Sequence, residues 1–156
     1  MTEEKRARGR LFSRLFKNLT ARAQAASLCA YCVDSGCCGQ SFFAGGVYGA
    51  QSAGVSVTND PRHANVLIVT GAFGNRAAPV VREIYDKMPE PKAVMALGVC
   101  ACTGGIFADN YAVLSDIRSV LPVDVFVTGC PPAQTDFLRG IADLKKIIRE
   151  KAVRDE

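Results

Sequence analysis

Four short apolar runs, separated by stretches with helical spacing, constrain this chain more than any other feature. Gly54-Val55-Ser56-Val57-Thr58, Asn65-Val66-Leu67-Ile68-Val69-Thr70, Lys92-Ala93-Val94-Met95-Ala96-Leu97 and Val123 to Thr128 have the length and, in three cases, the β-branched content of buried strands. A turn at Asn59-Asp60-Pro61 separates the first two. Residues 76–87 put Val80, Val81, Ile84 and Tyr85 on one helical face and stop at Met88-Pro89. Residues 111–120 read as a short helical stretch. Ala133 to about Lys151 is amphipathic, with Phe137, Leu138, Ile141, Leu144 and Ile148 apolar. Strands alternating with helices, and short enough to be buried on both faces, predict an α/β domain with a parallel sheet and helices on both sides.

The 156 residues suffice for one hydrophobic core. Apolar runs such as Val66–Val69 fall far short of the roughly 20 residues that span a bilayer, so no transmembrane segment is expected. Charge is unevenly spread: residues 1–22 carry seven Lys or Arg against Glu3 and Glu4, while the whole chain has a formal charge of +4. The body is therefore near neutral, which gives no support for a nucleic-acid-binding face. Within the basic stretch, Leu11, Phe12, Leu15, Phe16 and Leu19 recur at helical spacing between Arg8, Arg14, Lys17 and Arg22. An N-terminal amphipathic basic helix follows, suited to a membrane surface or a membrane partner. The chain thus divides into an arm, 1–28, and a domain, 29–156. No apolar core of an export signal is visible, and Ser13-Arg14 lacks the second arginine of a twin-arginine signal, so the expected place is the cytoplasmic face of a membrane, held peripherally.

Seven cysteines stand at 29, 32, 37, 38, 100, 102 and 130. An odd number argues against a closed disulfide framework. In open α/β sheets functional groups gather in loops beyond the carboxyl ends of strands. Cys100, inside Gly98-Val99-Cys100-Ala101-Cys102-Thr103-Gly104-Gly105, and Cys130, inside Gly129-Cys130-Pro131-Pro132, both follow predicted strands. Asp34-Ser35-Gly36-Cys37-Cys38-Gly39-Gln40 is positioned to bring two adjacent thiolates to the same edge. Four thiolates suit an iron–sulfur cluster or tetrahedral zinc. Structural zinc usually takes local ligand pairs, whereas here two ligands are isolated on separate loops, which favours a larger cofactor seated in a preformed fold. Cys32 and Cys102 are possible substitutes as ligands. Cys29-x-x-Cys32 matches a thioredoxin-like spacing but precedes the predicted sheet, where such a motif should follow a strand. His63, the single histidine, reads as a solvated or hydrogen-bonded turn residue, with a weaker reading in which it and Arg62 border the cofactor or a partner interface. Thr70-Gly71-Ala72-Phe73-Gly74 lacks the features of a phosphate loop and reads as close packing against the cofactor loop or a partner.

Three motifs in order, Pro61-Arg62-His63-Ala64-Asn65, Gly98-Val99-Cys100-Ala101 with Gly104-Gly105-Ile106-Phe107, and Pro122-Val123-Asp124-Val125-Phe126-Val127-Thr128-Gly129-Cys130-Pro131-Pro132, carry a resemblance over roughly residues 33–140. The chain resembles the family that unites the small subunits of nickel–iron hydrogenases with the quinone-proximal cluster subunit of respiratory complex I. That resemblance implies a flavodoxin-like fold and one 4Fe-4S cluster at an interface with a large catalytic subunit, with Cys37, Cys38, Cys100 and Cys130 as ligands and no catalysis by this subunit alone.

Within the family the chain has no room for the further clusters of uptake hydrogenases. The expected role is therefore electron transfer in a membrane-bound energy-converting nickel–iron hydrogenase, with a complex I-type quinone oxidoreductase subunit as the alternative. Implied partners are a large hydrogenase-type catalytic subunit, a ferredoxin-like or polyferredoxin subunit and integral membrane ion-translocating subunits. A zinc-stabilised interaction module is the alternative of another class. The chain departs from both branches after the adjacent cysteines: Gly39-Gln40-Ser41 stands where relatives carry an acid, and no acid follows until Asp60. Nothing at that point supports a proton-transfer role, and the departure leaves open which of Cys29, Cys32, Cys37 and Cys38 bind iron.

Overall fold

In the computed structural model, the described residues are Ala23, 26–43 and 53–154, with backbone alone for 41–43. Residues 1–22, which hold the predicted amphipathic helix, lie outside them. Strands β1 (Leu28–Ser35), β2 (Val55–Val57), β3 (Val66–Gly71), β4 (Ala93–Leu97) and β5 (Val125–Val127) form one sheet. All neighbours pair in parallel, in the order β2-β1-β3-β4-β5. This is the doubly wound order of flavodoxin-like sheets, and it reverses between β1 and β3. Helices α1 (Cys37–Phe43), α2 (Ala78–Lys87), α3 (Val99–Thr103) and α4 (Gln134–Arg154) surround it.

Period-two alternation divides the core into two layers. Leu28, Ala30, Val66, Ile68, Met95 and Leu97 face one side, where Phe137, Ile141, Leu144 and Ile148 of α4 cover them. Those four recur at helical spacing along one stripe, so α4 buries one face and leaves Leu138 exposed. Leu67, Val69, Val94 and Ala96 face the other side, against Val81 of α2, Ala101 and Cys102 of α3, and Ile117 and Leu121. Every residue of β3 and β4 is buried, as expected of central parallel strands covered on both faces.

Three local readings are corrected. Residues 28–35, read only as a cysteine-rich stretch before the sheet, form β1, second from the edge and paired on both sides. Leu28, Ala30 and Cys32 point to the α4 layer, and Tyr31 and Val33 to the other. Residues 111–120 are not helical beyond a 3-10 turn at Ile117–Ser119. Side chains compete with the helix there: Asn110 Oδ1 accepts from the Ala112 amide and Asp116 Oδ1 from the Arg118 amide, while the Leu114 amide bonds the Phe73 carbonyl. Val80, assigned to the apolar face of α2, is exposed.

Candidate functional site

Four connections leave the carboxyl ends of β1, β3, β4 and β5, and their backbones are tied together. The Gly98 amide donates to the Val127 carbonyl at 2.8 Å and the Val99 amide to the Gly129 carbonyl at 2.9 Å, which joins the Cys100 loop to the Cys130 loop. Asn75 and Leu114 amides bond Ala112 and Phe73 carbonyls at 2.9 and 2.8 Å, joining the loop after β3 to the stretch beyond α3. Ser35 Oγ donates to the Ala72 carbonyl at 2.8 Å, joining that loop to the Cys37-Cys38 segment. A Cβ added to Gly36 would lie 2.9 Å from the Gly71 Cα, so these two backbones touch.

The tied loops enclose a cavity of about 510 Å³ whose wall includes Cys37, Cys38, Cys100 and Cys130. It lies where the strand order reverses, beyond the carboxyl ends, as the general rule for open α/β sheets requires. Val99, Ile106, Phe107 and Val113 make much of the remaining wall apolar. Gly98, at φ +90, turns the chain from β4 into α3; a Cβ there would lie 2.8 Å from Cys38 Sγ, so the residue is needed both for its conformation and for its close approach. A Cβ on Gly105 would lie 3.0 Å from Cys100 Sγ.

The thiols act on one another. Burial, followed by the charges of Cys37, Cys130 and Cys100, pushes the Cys38 thiol up to about 11. Cys100 is raised by burial and then by the charges of Cys130 and Cys37. Four thiolates at one cavity repel each other unless cationic metal neutralises them, so the donor set is unstable as bare anions and suited to a metal centre. Among the described residues, no group of three or more His, Cys, Asp or Glu side chains is gathered tightly enough to hold a single metal ion. Zinc holds sulfur at about 2.3 Å. Four thiols from three loops around one largely apolar cavity are a donor set of the kind that an iron–sulfur cluster uses.

The other sequence candidates fall elsewhere. Cys102 is buried in α3, its Sγ donating to the Ala96 carbonyl at 3.6 Å and the Val127 carbonyl at 3.8 Å, and it does not line the cavity. Cys29 and Cys32 lie three apart on β1, so their side chains leave opposite faces of the sheet and do not form a thioredoxin-like pair. Pro61–His63 is a 3-10 turn before β3, at the opposite end of that strand from the thiols. His63 Nδ1 stands 3.3 Å from Asp60 Oδ2 in solvent, so Arg62 and His63 do not border the thiol cavity, and of that reading only a place at a partner interface stands as an expectation. Asp124, immediately before β5, is structural: its carboxylate accepts from the Val94 amide and pairs with Lys151. Sequence reasoning assigns no individual role to Ile106, on the cavity wall, or to Asp34, behind the Cys37-Cys38 turn, because neither belongs to a spacing pattern; the short polar turn before Cys37 and the Gly-Gly-Ile-Phe stretch are the available signals.

A family model described as NADH ubiquinone oxidoreductase, 20 Kd subunit, matches residues 50–144. The chain belongs to this oxidoreductase-subunit family. An NADH-quinone oxidoreductase subunit of Flavobacterium johnsoniae is 36% identical over 146 residues, covering 92% of this chain and 80% of that protein. The corresponding NADH-quinone oxidoreductase subunits of Heliobacterium modesticaldum and Chloroflexus aurantiacus are 47% and 51% identical over 92 residues, 59% and 58% of this chain. Those two alignments span only about half of each relative, 53% and 52%. Among solved structures, a chain of the membrane-bound sulfane sulfur reductase, an archaeal respiratory membrane complex, superposes with a TM-score of 0.76 at 27% identity, covering 85% of this chain and 76% of that one. No helix among the described residues of this family member is long and apolar enough to cross a membrane.

Proposed function

We propose that this chain is an electron-transfer subunit that holds one 4Fe-4S cluster on the thiolates of Cys37, Cys38, Cys100 and Cys130 within a membrane-bound respiratory complex of the quinone-reductase type. The observation that carries the reading is the meeting of these four thiols, from three separate loops, on one cavity at the switch point of the sheet. A cluster bound there supplies one-electron uptake and release. The chain's own residues supply the rest. Tied loops fix the thiols before any ligand arrives, Gly98 and Gly105 leave room for backbone beside two of the sulfurs, and Val99, Ile106, Phe107 and Val113 make much of the wall apolar. At the rim Ile106 is 88% exposed, an apolar surface for a large catalytic subunit to cover. Further partners are a ferredoxin-like electron donor and integral membrane subunits, with the basic arm toward the membrane.

The relatives' names favour quinone reduction over the hydrogenase assignment. The Gly104-Gly105-Ile106-Phe107 and Pro61-Arg62-His63-Ala64 stretches favour the hydrogenase branch, with a nickel–iron centre in the large subunit. Anaerobic purification of the intact complex, with iron, nickel, zinc and acid-labile sulfide analysis and low-temperature electron paramagnetic resonance after dithionite reduction, tests both. Iron and sulfide, with a reduced-cluster signal altered or lost in Cys100→Ser and Cys130→Ser, support the proposal, and nickel then selects hydrogenase. Stoichiometric zinc on this chain without labile sulfide refutes it in favour of a structural module.

A further inference from the structure

The Cys37-Cys38 segment is the part of the site where this chain departs from the acid-bearing pattern of its resemblance, and the structure places a different acid beside it. Asp34 ends the regular inward alternation of β1 and turns its carboxylate back over the segment. Its Oδ1 accepts two hydrogen bonds, from the Gly36 amide at 2.8 Å and from Thr70 Oγ at 2.6 Å. Thr70 is fully buried in β3, so the second bond anchors the carboxylate to the centre of the sheet. On the other side, a Cβ built on Gly39 would land on the Asp34 carboxyl carbon. Gly39 is buried and lies one residue beyond Cys38. Residue 39 thus has no room for any side chain while Asp34 keeps this position.

We infer that Asp34 is a positioning residue for the Cys37-Cys38 ligand pair: its carboxylate clamps the turn that starts α1 between buried Thr70 and the bare backbone of Gly39. The inference rests on the proposed cluster-binding role and adds a residue to it. An acceptor held by two donors, one from the turn itself and one from the sheet, fixes both the path of the chain at Gly36 and the distance from β3 at which Cys37 and Cys38 stand. Without it the turn is still joined to the sheet through Ser35, whose hydroxyl bonds the Thr70 and Ala72 carbonyls, but those bonds act before the turn and leave α1 free to pivot. The role needs an acceptor oxygen and not a proton transfer, so an amide in place of the acid keeps most of it.

The test uses the intact complex carrying Asp34→Ala, Asp34→Asn, Thr70→Val or Gly39→Ala, with Leu144→Ala on α4 as a destabilised control remote from the cavity. Readouts are iron and labile sulfide per chain, the line shape of the reduced-cluster resonance, the rate of iron release to a chelator under anaerobic conditions, and thermal unfolding. Asp34→Ala and Gly39→Ala are expected to release iron on the order of tenfold faster than the natural sequence, the size typical of groups that orient metal ligands, and to broaden or shift the resonance. Asp34→Asn should stay close to the natural sequence and Thr70→Val should fall between. Asp34→Ala combined with Gly39→Ala should be no worse than either alone, because both remove the same contact. Three results would overturn the inference: Asp34→Ala with unchanged release and resonance, Asp34→Asn as impaired as Asp34→Ala, or Leu144→Ala at matched stability releasing iron equally fast. A natural complex without iron and sulfide defeats the cluster reading itself, and so is distinguished from these.

Discussion

Cys32 packs partly buried against the α4 layer, and burial, with the Asp34 charge adding to it, pushes its thiol from an ordinary 9.0 up to about 12. Burial likewise raises Cys102 to about 11, against a smaller lowering by backbone hydrogen bonding at Val127. At pH 8 their thiolate fractions are on the order of 10⁻⁴ and 10⁻³, so neither is a ready nucleophile. In cluster-free protein, iodoacetamide at pH 8 should therefore modify the exposed Cys37 and Cys130 well before Cys32 and Cys102, as peptide mass spectrometry would show. Cys102→Ala should leave iron and sulfide content unchanged, whereas Cys100→Ser should not. The sign of the pH effect follows from the raised values: folding favours the neutral thiol of Cys32, so its contribution is complete below about pH 9 and is lost as pH rises toward 12. Urea unfolding between pH 8 and 11 should show the natural chain losing more stability than Cys32→Ala does.

At the scale of elements, α4 decides how close a helix approaches the sheet. Gly140 faces β4 and β5, where a Cβ would lie 2.7 Å from Val127 Cγ2 and 2.9 Å from Met95 Cε. Gly140→Ala gains roughly 1 kcal/mol of helix propensity and loses roughly 1–3 kcal/mol to overpacking. The second effect wins, and a net loss of about 1 kcal/mol is expected in chemical denaturation. Leu144→Ala, which empties a fully buried site in the same layer, should cost about 2–5 kcal/mol. The carboxyl-terminal half of α4 is tied to the sheet by Lys151, whose ammonium stands 2.8 Å from Asp124 Oδ1 and 3.0 Å from the Lys92 carbonyl. Asp124 in turn bonds the Val94 amide at 2.9 Å, so one carboxylate holds the start of β5 against both β4 and α4.

For the whole molecule, the apolar wall of the cavity includes Ile106, 88% exposed, and Tyr111, outside that wall, is 95% exposed. A domain that leaves its cofactor edge and these side chains for a partner is expected to aggregate or to lack iron when expressed alone, and to load iron when co-expressed with the remaining subunits. Size-exclusion chromatography with iron analysis of both preparations checks this; a soluble, monomeric, fully loaded single chain would contradict it. The arm is a separate expectation: removal of residues 1–22 should weaken sedimentation with anionic vesicles and leave iron content intact.

How much of this was legible from the residues depended on the range of the interaction that decided each feature. The buried strands β3, β4 and β5 and the long helix α4 were readable because period and composition act locally, and Cys100 and Cys130 because each follows a readable strand. β1 was not, since its cysteines and Asp34 dilute the alternation, and its place is decided by pairing with β2 and β3 on either side. The helix expected at 111–120 failed for a similar reason: its Leu114 amide and Ala112 carbonyl are committed to Phe73 and Asn75 partners that sequence spacing does not reveal. The sequence by itself determined an α/β domain with two cysteine loops at one edge of a parallel sheet. Tertiary structure alone decided which thiols meet and that Asp34 reaches Thr70, because each is a distance between segments dozens of residues apart, and that Cys102 turns into the core, because packing on the sheet sets which face of α3 is buried.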